Sequence, residues 1–550
     1  EYIVGFYTSA VRIALALYTA RHSDSVRVPV ATADVPTFKI GHIVAPDTDI
    51  DDPMFIPLEK YIPRFLWRAM LLPGMNCYMS ALRASPFDDM LLDDGNNTWG
   101  PLLRSGKYPR KKDWLMTFYE QYTMWDGTPV YPPVENNFAQ MFWKHDQWDD
   151  QLEKAMAFDL IGAHRLKPVH DRSVGGETLA FVIAQNDLSA MEVRAGFAKY
   201  GSNMYFSAEG MPLMIVTTDG REVLRGDKDW QYWKFVWRST LVSSITLVDH
   251  LHLAHFHSAN TLARAIRKSL HHDHPIRRFL SIFTFGSIWV NNIAMHTLLG
   301  PKHVLHRSLP FQEFEGLSDA VPSGFPDLWD WHKDILDDEA FEALPAKIKE
   351  TPYYADGRLL VQALKRLLDD VSGIYAPDEC ENGRIKDLDI VRFRLALVEE
   401  AVEGGYTSTH SQLGGLNCSD QNNNMILQSV LANLWTVTGW HRHVGTVGDY
   451  YADPDLAAFG WKEGELGPRP KQTMLMSVVA AFTSTPQPKL IEDYTHVFKG
   501  MQHEDKMVAA WKKFRGELYE IQKEIRTRNA RRTIKNAHMD PAMVECSVAV

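Results

Sequence analysis

The chain has 550 residues, of which 45% are hydrophobic, 23% charged and 11% aromatic, and its formal net charge is −11. Such a chain is globular and long enough for two domains or one very large one, and its acidic balance argues against a nucleic-acid partner, which selects a basic face. The four cysteines (Cys77, Cys380, Cys418 and Cys546) are scattered and form no CxxC pair, which argues against a disulfide scaffold or a cysteine zinc site.

No run approaches the roughly 20 apolar residues that a membrane-crossing helix needs. The opening segment, residues 1–24, carries an apolar helical stripe interrupted by Arg12, as a packed helix does. The chain starts on Glu1 without an initiator Met, so this end gives no reading of export. Asn96-Asn-Thr and Asn417-Cys-Ser are glycosylation triplets of a kind common by chance. The compartment therefore stays open, with a soluble protein of the cytoplasm or a secreted one both admissible.

Residues 1–135 are rich in Pro, Asp and aromatics and read as an irregular, partly helical N-terminal portion, without evenly spaced alternating strands. Residues 136–550 read as a helical core. Helical spacing begins in "NNFAQMFWKHDQWDDQLEKAMAFDLIG" and is expected to stop at Gly162. "TLAFVIA" and "MPLMIVTTDG", between 175 and 225, are the strand-like pieces. Helices are expected over 230–270, 274–299, 357–374, 386–404, 422–443, 471–482 and 503–530. The expected class is mainly α with minor β structure.

The first long helix contains "HLHLAHFH", four histidines (His250, His252, His255 and His257) in an apolar setting. A single histidine there is usually a satisfied core residue; four need partners for eight ring nitrogens, and a metal ion satisfies them readily. No pair is spaced i,i+4, so the HExxH zinc arrangement is absent. The pairs 250/255 and 252/257 are spaced i,i+5, which on an α-helix sets side chains about 140° apart. A local π-turn would bring such a pair to one face.

The segment "WQYWKFVWRSTLVSSITLVDHLHLAH" resembles the lipoxygenase pattern W-x3-K…L-x2-H-x4-H, with Trp230, Lys234, Leu247, His250 and His255 in register. "HPIRRFL" from His274 is similar to the family's HPI segment, displaced by one residue. "VNNIAMHTLL" from Val290 is similar to its I-N-A-L-A-R-x-L-L. "TVTGWHRHV" from Thr436 matches T-x-T-G-x-H-x-x-V around the third histidine ligand. "WDDQLEKAMAFDLIG" and the ending "FRGELYEIQKEIRTRN…VECSVAV" also resemble the family, so the likeness covers about residues 138–550.

This resemblance implies the lipoxygenase-type helical catalytic domain, in the form lacking the N-terminal β-barrel. It implies one mononuclear iron, or alternatively manganese, held by His250, His255, His441 and the terminal carboxylate of Val550. An insertion upstream of the cluster would hand the first two roles to His252 and His257. The implied reaction is dioxygen insertion into a 1,4-diene polyunsaturated fatty acid. A hydrogen atom leaves the bis-allylic carbon, O2 adds from the opposite face, and a hydroperoxide results. Ala294, twenty residues after His274, goes in the family with S-configured products. Ala294, Leu298 and Leu305, with Ile293 and Leu299, are the candidate substrate-channel lining, and core packing is their other reading. Arg277, Arg278 and Lys268 are candidate partners of a fatty-acid carboxylate, or simply a solvated face. A monomer is expected.

Two departures stand out. Gly445 occupies the place where the family often has a weak ligand, and "TVGD" replaces its G-Q; His443 would have to swing in from the wrong side of its helix to substitute. Met295 replaces an arginine. These changes leave open an alternative use of the same fold and metal, in hydroperoxide isomerisation or oxidation of a non-lipid natural product. A non-enzymatic metal or lipid-binding module is the third reading.

Overall fold

The computed structural model describes residues 25–28, 50–53, 150–271, 273–288, 290–291, 294, 298, 303–312, 327–382, 384–403, 420–446, 450, 457–465, 488–536 and 538–548. The expected N-terminal helix, the absence of a barrel, the boundary near residue 135 and the helix over 471–482 lie outside these residues. So do Ile293, Met295, Leu299 and Val550.

Two short strands, β1 (Ser25–Val28) and β2 (Ile50–Pro53), pair antiparallel. Helix α1 (Gln151–Phe158) stops before the expected Gly162, because residues 159–162 turn back and the Gly162 amide donates to the Met156 carbonyl at 2.8 Å. Five strands follow as an antiparallel meander in sequence order: β3 (Lys167–Pro168), β4 (Phe181–Ile183), β5 (Asn203–Phe206), β6 (Pro212–Val216) and β7 (Glu222–Leu224). β4 and β6 fall inside the two strand-like pieces. β4 alternates in burial, Phe181 and Ile183 inward, and so covers the core with one face only.

The rest of the described chain is mainly helical. α2 (Trp230–Ser244) passes without a break into a π-helix, Ile245–Ala259, and on into α3 (Asn260–Ser269). α4 (Pro275–Thr284) opens on a side-chain cap: His274 Nδ1 accepts from the Ile276 amide, and Pro275 occupies the first helical position. The expected helix 274–299 is interrupted, since Phe285 leaves helical geometry and Gly286 takes φ of 68°, a left-handed value that glycine adopts freely. Helical residues resume at Ser287 and include Asn291 and Ala294. Beyond them lie α5 (Pro352–Glu379), α6 (Leu388–Glu403) and α7 (Asp420–Trp435). A second π-helix, Thr436–Trp440, leads into α8 (His441–Val444), and α9 (Glu504–Asn529) follows. No helix among the described residues is long and apolar enough to cross a membrane.

One continuous apolar core runs from α1 through the sheet to α9, and both π-helices lie inside it. α2 is anchored there by a buried ion cluster with α1. Lys234 bonds Asp150 at 2.7 Å and Glu153 at 3.4 Å, Arg238 pairs with Glu153, and the Trp230 indole donates to Asp150 at 2.9 Å. Removing one member of such a cluster strands the others in the core, at about 3–5 kcal/mol. Glu153→Gln is therefore expected to lower stability by that amount in urea unfolding. An unchanged midpoint would mean that the cluster is solvated.

Candidate metal centre

The first π-helix answers the question that the spacing of the histidines raises. Its widened turn brings His250 and His255, five apart, to one face, where an α-helix would splay them. The second π-helix runs directly into His441, the residue that follows it. Local chemistry loosens both segments. The hydroxyls of Thr246, Thr436 and Thr438 each donate to the carbonyl four residues back, at 2.8, 2.6 and 2.6 Å, which disturbs a regular helical ladder.

His250, His255 and His441 present their Nε2 atoms to one another at 3.2 Å along all three edges of a triangle. Among the described residues this is the one group of three or more His, Cys, Asp or Glu side chains arranged to hold a metal ion. The centre of an equilateral triangle with those edges is about 1.8 Å from each corner, so all three nitrogens can bond one ion at the roughly 2.0–2.1 Å of an imidazole–metal bond. The donor set fits the group that the fold implies.

Protonation points the same way. Burial, aided by the neighbouring imidazoles, pushes His250 and His441 well below the usual histidine range. Burial pushes His255 down to about 4, despite its hydrogen bond to Asn291. The three are neutral, as ligands must be. The Asn291 carbonyl oxygen lies 2.9 Å from His255 Nδ1 while its amide nitrogen donates to the His255 carbonyl and to Asn260. That contact puts the His255 proton on Nδ1 and leaves Nε2 with a lone pair directed at the triangle. His441 Nδ1 is buried with no hydrogen-bond partner among the described residues, so none of them orients that ring in the same way. Nothing in the sequence pattern of the segment from Val290 marks Asn291 for this contact.

The other expected site residues fall elsewhere. His252 and His257 are buried outside the triangle, His252 against Phe256 and His257 beside the Thr261 hydroxyl. His443 points away from it, to His164. A side chain at Gly445 would put its Cβ 3.4 Å from His250 Nε2, so the position faces the triangle and offers it nothing. Ala294 and Leu305 are buried and Leu298 packs against the core; backbone bonds join Leu298 to Ala294 at 2.8 Å and Leu305 to Leu298 at 3.1 Å. Ala294 is one turn beyond Asn291.

Of the basic trio, Lys268 keeps an exposed face, in line with the solvated reading, whereas Arg277 is buried. Arg277 is buried and donates to the Leu270 carbonyl, Arg278 bonds Asp273 and the Lys499 carbonyl, and Lys268 pairs with Glu399 and Glu400.

The C-terminal segment runs inward. Val544, Cys546, Ser547 and Val548 are buried. The Cys546 amide donates to Pro488, Ser547 donates to the Phe285 carbonyl at 2.7 Å, and Glu545 bonds Lys489 at 2.6 Å and Arg442 at 3.5 Å. Arg442 adjoins His441, so Glu545 ties the chain end to the segment that carries the third imidazole.

No family model and no curated protein matches the sequence. Solved structures do. A lipoxygenase variant with residues 413–417 replaced by Gly-Ser, in complex with arachidonate, is 13% identical with a TM-score of 0.67, over 99% of this chain and 81% of that one. The fold is that of the lipoxygenases. A calcium-dependent 11R-lipoxygenase (16% identity, TM-score 0.61) and the coral 8R-lipoxygenase (15%, 0.59) each match over 86% of this chain, and over 74% and 75% of their own. The mainly helical architecture with minor strands, expected from periodicity and resemblance, is thereby established.

Within this lipoxygenase fold Gly439 is tightly confined: a Cβ there would meet the Trp435 ring at 2.3 Å. Gly439→Ala is expected to cost about 1–3 kcal/mol, the usual penalty of overpacking, and to lower metal content because His441 lies two residues on. Thermal unfolding and elemental analysis read both; full metal loading at the wild-type Tm would contradict it.

Proposed function

We propose that the protein is a lipoxygenase-type dioxygenase acting on a 1,4-diene polyunsaturated fatty acid. The observation that carries the reading is the triangle of three neutral imidazole nitrogens, two on one π-helix and one just after a second, inside a lipoxygenase fold. His250, His255 and His441 hold the ion; Val550, the further ligand that the resemblance implies, lies outside the described residues. Iron or manganese bound there supplies the one-electron chemistry that removes a bis-allylic hydrogen atom and lets dioxygen add; ligand types alone fit both metals.

The chain's own residues do the rest. His255 is oriented by Asn291. Ala294, Leu298 and Leu305 form an apolar group near that contact and line the path for the acyl chain. Alanine at 294 favours an S-configured hydroperoxide.

The test is oxygen uptake with formation of conjugated-diene absorbance on adding linoleate or arachidonate. A metal-loaded protein that consumes no oxygen with any such lipid would reject the reading. One observation favours a second use of the same centre: Gly445 faces His250 without offering a ligand. Turnover of a preformed lipid hydroperoxide, or of a non-lipid compound, without net oxygen consumption would select it.

A further inference from the structure

Behind the triangle lies a buried polar unit made from residues far apart in the chain. Asp249, fully buried, immediately precedes His250. Arg165 grips it with a two-pronged contact, Nε to Oδ2 and Nη2 to Oδ1, each 3.0 Å. The same guanidinium donates to the Ser244 hydroxyl at 2.8 Å. Ser244 and Asp249 are five apart, as His250 and His255 are, so Arg165 spans the opening turn of the π-helix from its outer side. Only the widened turn puts both partners within reach of one planar fork.

His164 extends the unit to the other ligand segment. Its Nε2 lies 2.8 Å from Asp249 and its Nδ1 lies 3.0 Å from Nε2 of His443, two residues after His441. An aspartate in this ion pair only accepts, so the His164 proton is on Nε2 and His443 donates to Nδ1. The bonds therefore run in one sense from His443 through His164 to Asp249. Aromatic packing holds the rings: Trp440 lies edge-on to His164 at 4.4 Å between centroids, and Tyr353 lies against His443 at 4.6 Å.

We propose that Arg165, His164 and Asp249 form a positioning clamp that sets the separation of His250 and His441, and through it the affinity and symmetry of the ion site. The clamp rests on the metal-binding reading above. It touches none of the three Nε2 atoms and acts through the backbones of the two segments. Groups outside the ligand shell that fix ligand orientation are typically worth 10–100-fold in metal affinity.

The probe is Mn(II) alone, titrated into metal-depleted full-length protein and followed by electron paramagnetic resonance. Wild type is expected to bind one ion. His164→Leu is expected to weaken binding by about ten-fold or more and to change the spectrum of the bound ion. His164→Gln, which keeps a donor and an acceptor, recovers part of the loss. Leu518→Ala, a core truncation on α9 remote from the clamp, lowers the Tm and leaves affinity and spectrum unchanged. Should His164→Leu not fold, Arg165→Lys keeps the charge and loses the fork, with the same expected weakening. Wild-type affinity and spectrum in the clamp variants would overturn the proposal, and so would equal weakening in Leu518→Ala. Wild-type protein that binds neither Mn(II) nor Fe(II) would overturn the metal reading itself, and the clamp with it.

Discussion

His255→Ala is expected to abolish stable metal binding and with it oxygen uptake on 1,4-diene fatty acids. The substitution removes one of three nitrogens spaced 3.2 Å apart and leaves two imidazoles from different segments. It also strands the Asn291 amide, whose carbonyl oxygen loses the Nδ1–H donor. The loss should exceed that of Asn291→Ala, which keeps all three ligands and frees only the ring orientation; outer partners of this kind account for about 10–100-fold. Chelator-competition titrations of both variants measure the difference. Equal affinities for His255→Ala and wild type would show that His255 is not a ligand.

Acidification below pH 6.5 is expected to unfold the protein cooperatively. Burial pushes His252, His257, His332 and His538 each down to about 3. A histidine neutral when folded and free to protonate when unfolded makes the unfolded state bind more protons, so stability rises with pH. Above the unfolded value of 6.5 the contribution is complete and flat. Below it, each such group costs up to about 1.4 kcal/mol per pH unit, so the four together remove about 5–6 kcal/mol per unit. Set against a typical total of about 5–15 kcal/mol, unfolding falls one to three units below pH 6.5. Urea midpoints between pH 8 and 4.5 check this, and His252→Leu should flatten the slope by up to about 1.4 kcal/mol per pH unit. A midpoint unchanged down to pH 4.5 would place these histidines in contact with solvent.

The three imidazoles of the centre were legible because their constraint is local. A spacing of five is awkward on an α-helix, so the pair 250/255 announced a distorted turn, and the Thr-rich approach to His441 resembled a known motif. The extent of the π-geometry was not legible, because periodicity cannot separate a wide helix from a regular one in an apolar segment. Phe285 and Gly286 break an apolar run that reads as continuous, since nothing in side-chain spacing shows a positive φ. The contacts behind the centre are hidden for a different reason. His164 reaches Asp249 across 85 positions and His443 across 279, and no local pattern encodes such a meeting. Within the basic trio Arg277 alone is buried, its guanidinium donating to the Leu270 carbonyl, while Lys268 keeps the solvated face that its charge suggests.

The resemblance and the fold agree over the helical core, and the departures stay where the sequence put them. Gly445 faces His250 and brings no donor atom, and His443 is committed to His164. Among the described residues the centre is thus a group of three imidazoles.

Elemental analysis of the purified protein is the most direct measurement of whether that triangle holds a redox-active ion. The account predicts about one iron or manganese per chain, lost in His255→Ala. Zinc at full occupancy, or no transition metal after reconstitution with Fe(II) and Mn(II), would contradict it.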